Sequence, residues 1–230
     1  MKIFVSYLRG LFFALYMLIS LPIIIGLMYL FPKNHRTIRR HWAKLTFWLH
    51  GIPLTIEGEA DTQAQLIIAN HASMWDIIAL EAIHPADLCW IAKQEITNIP
   101  LYGHIMKAPK MISIDREDKK GLLKLLSESK ERLDEGRVIS IFPEGTRTHK
   151  PGVLLPFKPG AAMIANKHKL RVQPVIILGT GELLPAKSIR LTPHPVTIIY
   201  LPAFHATEAG EGWLEKLRDE MQQLIANRLM

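Results

Sequence analysis

The chain has 230 residues, 49% of them hydrophobic, which suits one core domain with a small appendage and leaves two full domains cramped. Its single cysteine, Cys89, excludes a disulfide framework and a multi-cysteine metal site, and its apolar neighbours mark it as a core residue. The net charge of +7 is local: residues 1–56 hold Lys2, Arg9, Lys33, Arg36, Arg39, Arg40 and Lys44 and no acid, so 21 basic residues face 21 acidic ones in the rest. A nucleic-acid binder would spread a basic face over its folded domain; cations flanking an apolar stretch suit an anionic membrane surface, and no nucleic-acid partner is expected.

In chain order, residues 11–31 come first, 21 residues without a charge. A helix of that length, rising about 1.5 Å per residue, can cross a bilayer core of about 30 Å. A signal peptide has a shorter apolar region and a small-x-small cleavage site, whereas Phe31-Pro32-Lys33 follows here, so the run reads as retained. Pro22 and Gly26 are tolerated in a membrane helix but also allow it to bend back. In residues 34–50, Ile38, Trp42, Leu45, Trp48 and Leu49 recur at helical spacing, with Arg36, Arg39, Arg40 and Lys44 between them. That describes a helix lying in the membrane interface, packed on the domain, or both. If the first run spans, the excess of Lys and Arg after it places the catalytic domain in the cytoplasm, at the inner (cytoplasmic) membrane; a monotopic hairpin in one leaflet fits as well. Residues 1–50 are thus expected to anchor residues 51–230.

From residue 52 the pattern changes. Short apolar runs predict strands at 54–57, 66–69, 88–92, 111–114, 138–142, 172–178 and 196–201. Helical periods occupy 119–135, with Gly136 as the stop, then 160–167 and 208–228. The fold class is α/β: a single mixed, largely parallel sheet layered with helices, plus N-terminal membrane-associated helices.

Two segments are too polar for their positions. Asn70-His71-Ala72-Ser73-Met74-Trp75-Asp76 directly follows an apolar strand, and strand carboxyl ends are where α/β folds bind ligands. Residues five apart point about 140° away from each other on a helix, so His71 and Asp76 meet only if His71 lies in the turn and Asp76 in the helix after it. The carboxylate then fixes the imidazole tautomer and stabilises the imidazolium, leaving the other nitrogen to take a proton from an alcohol. A structural hydrogen bond is the plain alternative. The second segment is Phe142-Pro143-Glu144-Gly145-Thr146-Arg147, again after a strand. Gly145 permits close backbone approach, Thr146 offers a hydroxyl, and Arg147 offers a planar fork suited to phosphate. The two together, about 70 residues apart, are far more specific than either alone.

His-x4-Asp followed by Glu-Gly-Thr-Arg resembles the glycerolipid acyltransferases, and among them the bacterial 1-acyl-glycerol-3-phosphate acyltransferases. Ile91-Ala92-Lys93-Gln94-Glu95-Ile96, Ile114-Asp115-Arg116, Phe157-Lys158-Pro159-Gly160 and Gln173-Pro174-Val175-Ile176 are similar to four further blocks of that family. Met111-Ile112-Ser113 departs from it, standing where many members carry Gly before the Asp-Arg. The resemblance covers about residues 65–180. It implies an acyl-CoA or acyl-carrier protein donor, no permanently bound cofactor, and a lysophosphatidic acid acceptor drawn from membrane lipids. It assigns His71 as base, Asp76 as its partner, and Arg147 and Lys93, with Arg116 behind them, as phosphate holders. Glu144 is then an acceptor-binding or ordering residue, with an ion pair to a nearby Arg as the alternative. A thioester is already activated, so no covalent nucleophile is needed, and no Gly-x-Ser-x-Gly elbow occurs. Ser73 reads as a local cap. The oxyanion needs backbone donors near Gly145 or after His71. No metal ligand cluster is expected, and His104, His149, His168 and His205 read as surface or structural.

Two rivals stand beside this reading. One is the same chemistry on a lyso-ornithine lipid or another lysophospholipid. The other is a non-catalytic membrane-binding scaffold, which would have no need for His71, Asp76, Glu144 and Arg147 together.

Overall fold

The computed structural model describes residues 2–115, 121–150 and 152–229. Helix α1 (Lys2–Leu30) runs unbroken through Pro22 and Gly26. After a 3-10 turn at Pro32–Asn34, α2 (His35–His50) returns antiparallel to it, with Tyr16 hydrogen-bonded to Thr46 (2.8 Å) and Trp42 to Ser20 (3.1 Å). Gly51 ends α2 with a left-handed φ of 63°, which turns its amide onto the Phe47 and Trp48 carbonyls. The helix packs on the domain through Ala43, Thr46 and Phe47 while Leu45, Trp48 and Leu49 stay outside. Arg39 departs from the expected outer row of cations. It is buried, because Glu81, Asp87 and the Leu88 carbonyl draw it inward.

The remaining elements are β1 (Leu54–Glu57), β2 (Leu66–Ala69), α3 (Trp75–Ile83), β3 (Leu88–Lys93), α4 (Gln94–Thr97), α5 (His104–Lys107), β4 (Ile112–Ile114), α6 (Gly121–Asp134), β5 (Val138–Ile141), α7 (Gly160–His168), β6 (Arg171–Leu178), α8 (Thr180–Leu183), β7 (Val196–Tyr200), β8 (Phe204–His205) and α9 (Trp213–Leu229). Every expected strand is present to within a residue at each end. The helix expected over 119–135 is α6; its first residues, Lys119 and Lys120, lie outside the described residues. The last helix starts at Trp213 rather than at residue 208, because Gly210 and Gly212 take left-handed turns first.

The described strands form one sheet in the order β1-β7-β6-β2-β5-β3-β4, with β8 alongside β6. Strands β6, β2, β5, β3 and β4 are mutually parallel; β7 runs antiparallel to β6, and β1 parallel to β7. Strand β2 is buried on both faces, as a central parallel strand should be. Its Ile67 and Ala69 join Trp75 of α3, Phe47 of α2 and Phe13 and Met17 of α1 in one core. Leu66 and Ile68 join Leu125 of α6, Ile164 of α7 and Met221 of α9 in the other. The period-2 alternation of one strand thus sets a three-layer architecture, and the carboxyl ends of five parallel strands converge on one edge.

Candidate active site

The chain leaves β2 into a turn that three strands hold. The Asn70 side chain bridges to β6, accepting from the Ile177 amide (2.7 Å) and donating to its carbonyl (2.8 Å). His71 then lies in the turn and Asp76 in the first turn of α3, the arrangement their spacing required. Asp76 Oδ2 accepts from His71 Nδ1 (2.8 Å) and from the amides of Ala72 (2.8 Å) and Ser73 (2.9 Å), while Thr180 donates to Oδ1. Asp76 is wholly buried; His71 keeps 15% of its side chain exposed, and its Nε2 is open to the cleft. The fixed carboxylate therefore presents one imidazole nitrogen to any hydroxyl lodged there.

The loop after β5 completes the turn from the other side. Phe142 stacks on the His71 ring (4.0 Å, 7° between planes), and Trp90 stacks on Phe142 (5.1 Å). Glu144 is buried; its Oε1 accepts from the His71 amide (2.7 Å) and its Oε2 from the Leu155 amide (2.8 Å). Burial pushes its carboxyl up to about 7 against the pull of those two amides. Both oxygens are engaged with backbone amides, and Glu144 has no ion pair among the described residues. Gly145 turns the chain at φ 70°, a conformation that suits glycine.

A cleft of about 360 Å³ opens beside His71. Its walls are mostly apolar, with Met17, Leu21 and Ile24 from α1, Met74 and Ile78 around α3, and Trp90, Ile105 and Met106, and the paired Arg39 and Glu81 also line it. Lys93, at the end of β3, and Gly145, Thr146 and Arg147 line the same cleft. Lys93 and Arg147 are exposed and have no ion-pair partner among the described residues. An apolar cleft carrying a His–Asp pair and two uncommitted cations suits an amphiphile with an anionic head. Arg116 lies outside the described residues.

Other candidates fall away. Ser73 is buried and donates to the Leu184 carbonyl (2.8 Å). The thiol of Cys89 is buried and pushed up to about 11 by desolvation. The amides of Ala72 and Ser73 are already bound to Asp76 and so are not free to serve as oxyanion donors. Two contributors escaped the sequence reading, Asn70 and Thr180. Each is an ordinary polar residue whose role depends on a contact more than 100 residues away.

The Acyltransferase family model matches residues 53–178. The chain is 40% identical over 220 residues, 95% of its length and 92% of the relative's, to the 1-acyl-sn-glycerol-3-phosphate acyltransferase of Helicobacter pylori. It is 30% identical over 180 residues to the lyso-ornithine lipid O-acyltransferase of Rhizobium meliloti, covering 75% of this chain and 61% of that one. Its fold is that of the crystal structure of the 1-acyl-sn-glycerophosphate (LPA) acyltransferase from Thermotoga maritima, with a TM-score of 0.77 at 23% identity, covering 98% of this chain and 95% of that one. A His–Asp pair at the carboxyl edge of this sheet, and a sequence matched over most of its length, make the chain a member of the acyltransferase family.

Proposed function

We propose that the protein transfers a fatty acyl group from acyl-CoA or acyl-carrier protein to the sn-2 hydroxyl of 1-acyl-glycerol-3-phosphate, giving phosphatidic acid in phospholipid biosynthesis. The observation that carries this is the open Nε2 of a carboxylate-fixed His71 facing an apolar cleft that also holds Lys93 and Arg147. His71 takes the proton of the acceptor hydroxyl as its oxygen attacks the thioester carbonyl, and Asp76 balances the imidazolium. The tetrahedral intermediate then collapses, the thiolate leaves, and His71 returns the proton to it. Base assistance of this kind contributes typically about 10²–10⁴-fold. Thr146 and Arg147 line the cleft, and their amides have no hydrogen-bond partner among the described residues, which favours them as oxyanion donors. Arg147 and Lys93 hold the acceptor phosphate, and Glu144 holds the backbone of the base.

Residues 1–50 are the membrane anchor of a catalytic unit at 51–230, and the anchor lies in one leaflet. Among the described residues one helix, α1, is long and apolar enough to cross a membrane, but it meets the rest of the protein near both of its ends and in between. Ser6 accepts from the Leu191 amide (3.1 Å), Phe13 and Met17 enter the core, and Tyr29 bonds to His104 (2.7 Å). A helix packed in this way cannot cross a bilayer without drawing the domain into it. The cation excess around α1 favours the cytoplasmic leaflet.

The test is thiol release from acyl-CoA, with and without 1-acyl-glycerol-3-phosphate, in membranes carrying the wild type or His71→Ala. Acceptor-dependent release that vanishes in the variant is expected, and an active alanine variant would remove His71 from the mechanism. Competition with lyso-ornithine lipid separates the second acceptor, which the Rhizobium relative keeps in play.

A further inference from the structure

The segment between β3 and β4 carries an apolar turn that the core does not use. Ile99 and Leu101 are 47% and 57% exposed, and Tyr102 is 39% exposed. Leu101 sits at φ 59°, the left-handed region, where a bulky side chain is an outlier and glycine or asparagine is usual. The turn is nevertheless firmly built. Gly103 donates to the Ile99 carbonyl (2.8 Å) and His104 to that of Leu101 (3.1 Å). A Cβ on Gly103 would come within 2.2 Å of the Thr97 carbonyl oxygen, so the chain closes tightly there. Backbone strain is thus retained to hold a leucine outward, a pattern that points to function.

Its surroundings indicate what lies outside. His104, just after the turn, bonds to Tyr29 near the end of α1, and their rings meet edge-on at 5.7 Å. The exposed apolar side chains of Tyr29, Leu30 and Phe31 therefore continue onto the turn. Tyr102, Ile105 and Met106 share the lining of the cleft with Leu21 and Ile24 of α1. The turn and the membrane helix are two lips of one opening. Lys107 and Lys110, both exposed on the same segment, suit anionic headgroups beside it.

We propose that turn 99–102 is a second membrane-inserting element, which dips into the leaflet holding α1 and with it frames a lateral entrance from the bilayer to His71. The passage of lysolipid through that entrance rests on the acyltransferase reading; the insertion does not.

The test uses the full chain on vesicles of phosphatidylcholine and phosphatidylglycerol. Leu101→Cys is labelled with a nitrobenzoxadiazole fluorophore, since Cys89 is buried and its thiol is pushed up to about 11. Leu123→Cys, on the exposed face of α6 across the sheet, is the control. The label at 101 should shift to the blue on vesicles and be quenched by doxyl lipids, while that at 123 stays aqueous. A label at 101 that behaves like the control overturns the proposal. So does a blue shift without lipid that grows with protein concentration, which would mean that a second copy covers the turn. In turnover, Leu101→Glu should lower kcat/KM for vesicle-borne long-chain acceptor roughly tenfold and leave a water-soluble short-chain acceptor within about twofold. Leu101→Gly, which relieves the backbone, should show a smaller loss of the same kind with no loss of stability. Equal losses on both acceptors would overturn the proposal. A wild type that acylates neither acceptor removes the acyltransferase reading, and the depth measurement then decides the turn alone.

Discussion

Replacing Asp76 with Asn tests the charge of the pair apart from its geometry. In many His–Asp pairs an amide can flip and reverse the imidazole tautomer. Here the Oδ2 position accepts from two backbone amides as well as from His71 Nδ1, so only the Asn oxygen fits there. The amide nitrogen then faces Thr180, whose hydroxyl turns round to accept. Tautomer and fold are kept and the negative charge is lost. Across about 4 Å at an effective dielectric near 20 that charge is worth about 4 kcal/mol to an imidazolium. Three further donors already share it, so about 3 kcal/mol is a fairer figure, or about 10²-fold in kcat at 1.36 kcal/mol per decade. Thiol release on vesicles should show that loss in kcat, with KM for donor and acceptor and the melting temperature little changed. Thr180→Val keeps the charge and removes one neutral donor, so it should cost only about tenfold or less, and Thr180→Ser should restore the rate. An Asp76→Asn enzyme within about tenfold of wild type, still folded, would refute the electrostatic argument. Raised KM for both substrates would instead mean that Asp76 shapes the turn.

Three more perturbations follow from the same contacts. Glu144 has its carboxyl raised from 4.5 to about 7, so its protonated form favours the fold. That stability is full below the unfolded value and lost as pH rises through about 7. Glu144→Gln should flatten the unfolding free energy against pH by about 3 kcal/mol, and a variant with the wild-type slope would place the titration elsewhere. Arg147→Ala should raise KM for the phosphorylated acceptor by about tenfold or more with KM for the donor unchanged; an unchanged acceptor KM argues against phosphate contact. Arg39→Met leaves Glu81 buried beside Trp90 without its cation and should lower stability by about 3 kcal/mol, measured by denaturant unfolding in detergent, whereas no loss would mean the pair is neutral to folding.

What could be read in the sequence follows from how each feature is encoded. Strand β2 is a four-residue apolar run, and the polar turn behind it stands out against that run, so His71 and Asp76 were visible before any coordinates. For Glu144 the sequence left acceptor binding, ordering and an ion pair open, because which neighbour reaches its oxygens depends on packing; two backbone amides do. No periodicity encodes Asn70 or Thr180, because their partners, Ile177 of β6 and Asp76 of α3, lie more than 100 residues away. Arg39 looked like one cation in an outer row. It is set apart only by Glu81 and Asp87, more than 40 residues on, which the pattern along α2 does not contain.

That cluster also ties the second N-terminal helix to the sheet domain. Arg39 of α2 meets Glu81 of α3 and Asp87 before β3; Asp87 in turn lies 3.0 Å from Arg137. Burying three charges beside a half-buried fourth is seldom the most stable solution, and apolar side chains of the same volume would often do as well. What the cluster adds is register: α2 can slide on α3 only by breaking ion pairs out of water. Trp90, bonded to Glu81 (2.8 Å), stacks on Phe142, which stacks on His71, so the cluster is joined to the His71 turn by direct contacts. The cleft is walled on one side by α1 and α2, through Met17, Leu21, Ile24 and Trp42, and on another by Trp90 of the sheet, and Arg39 and Glu81 of the cluster line it as well. If His71 is the base proposed above, an apolar helix held to its turn in this way sets the depth at which an insoluble acceptor is met.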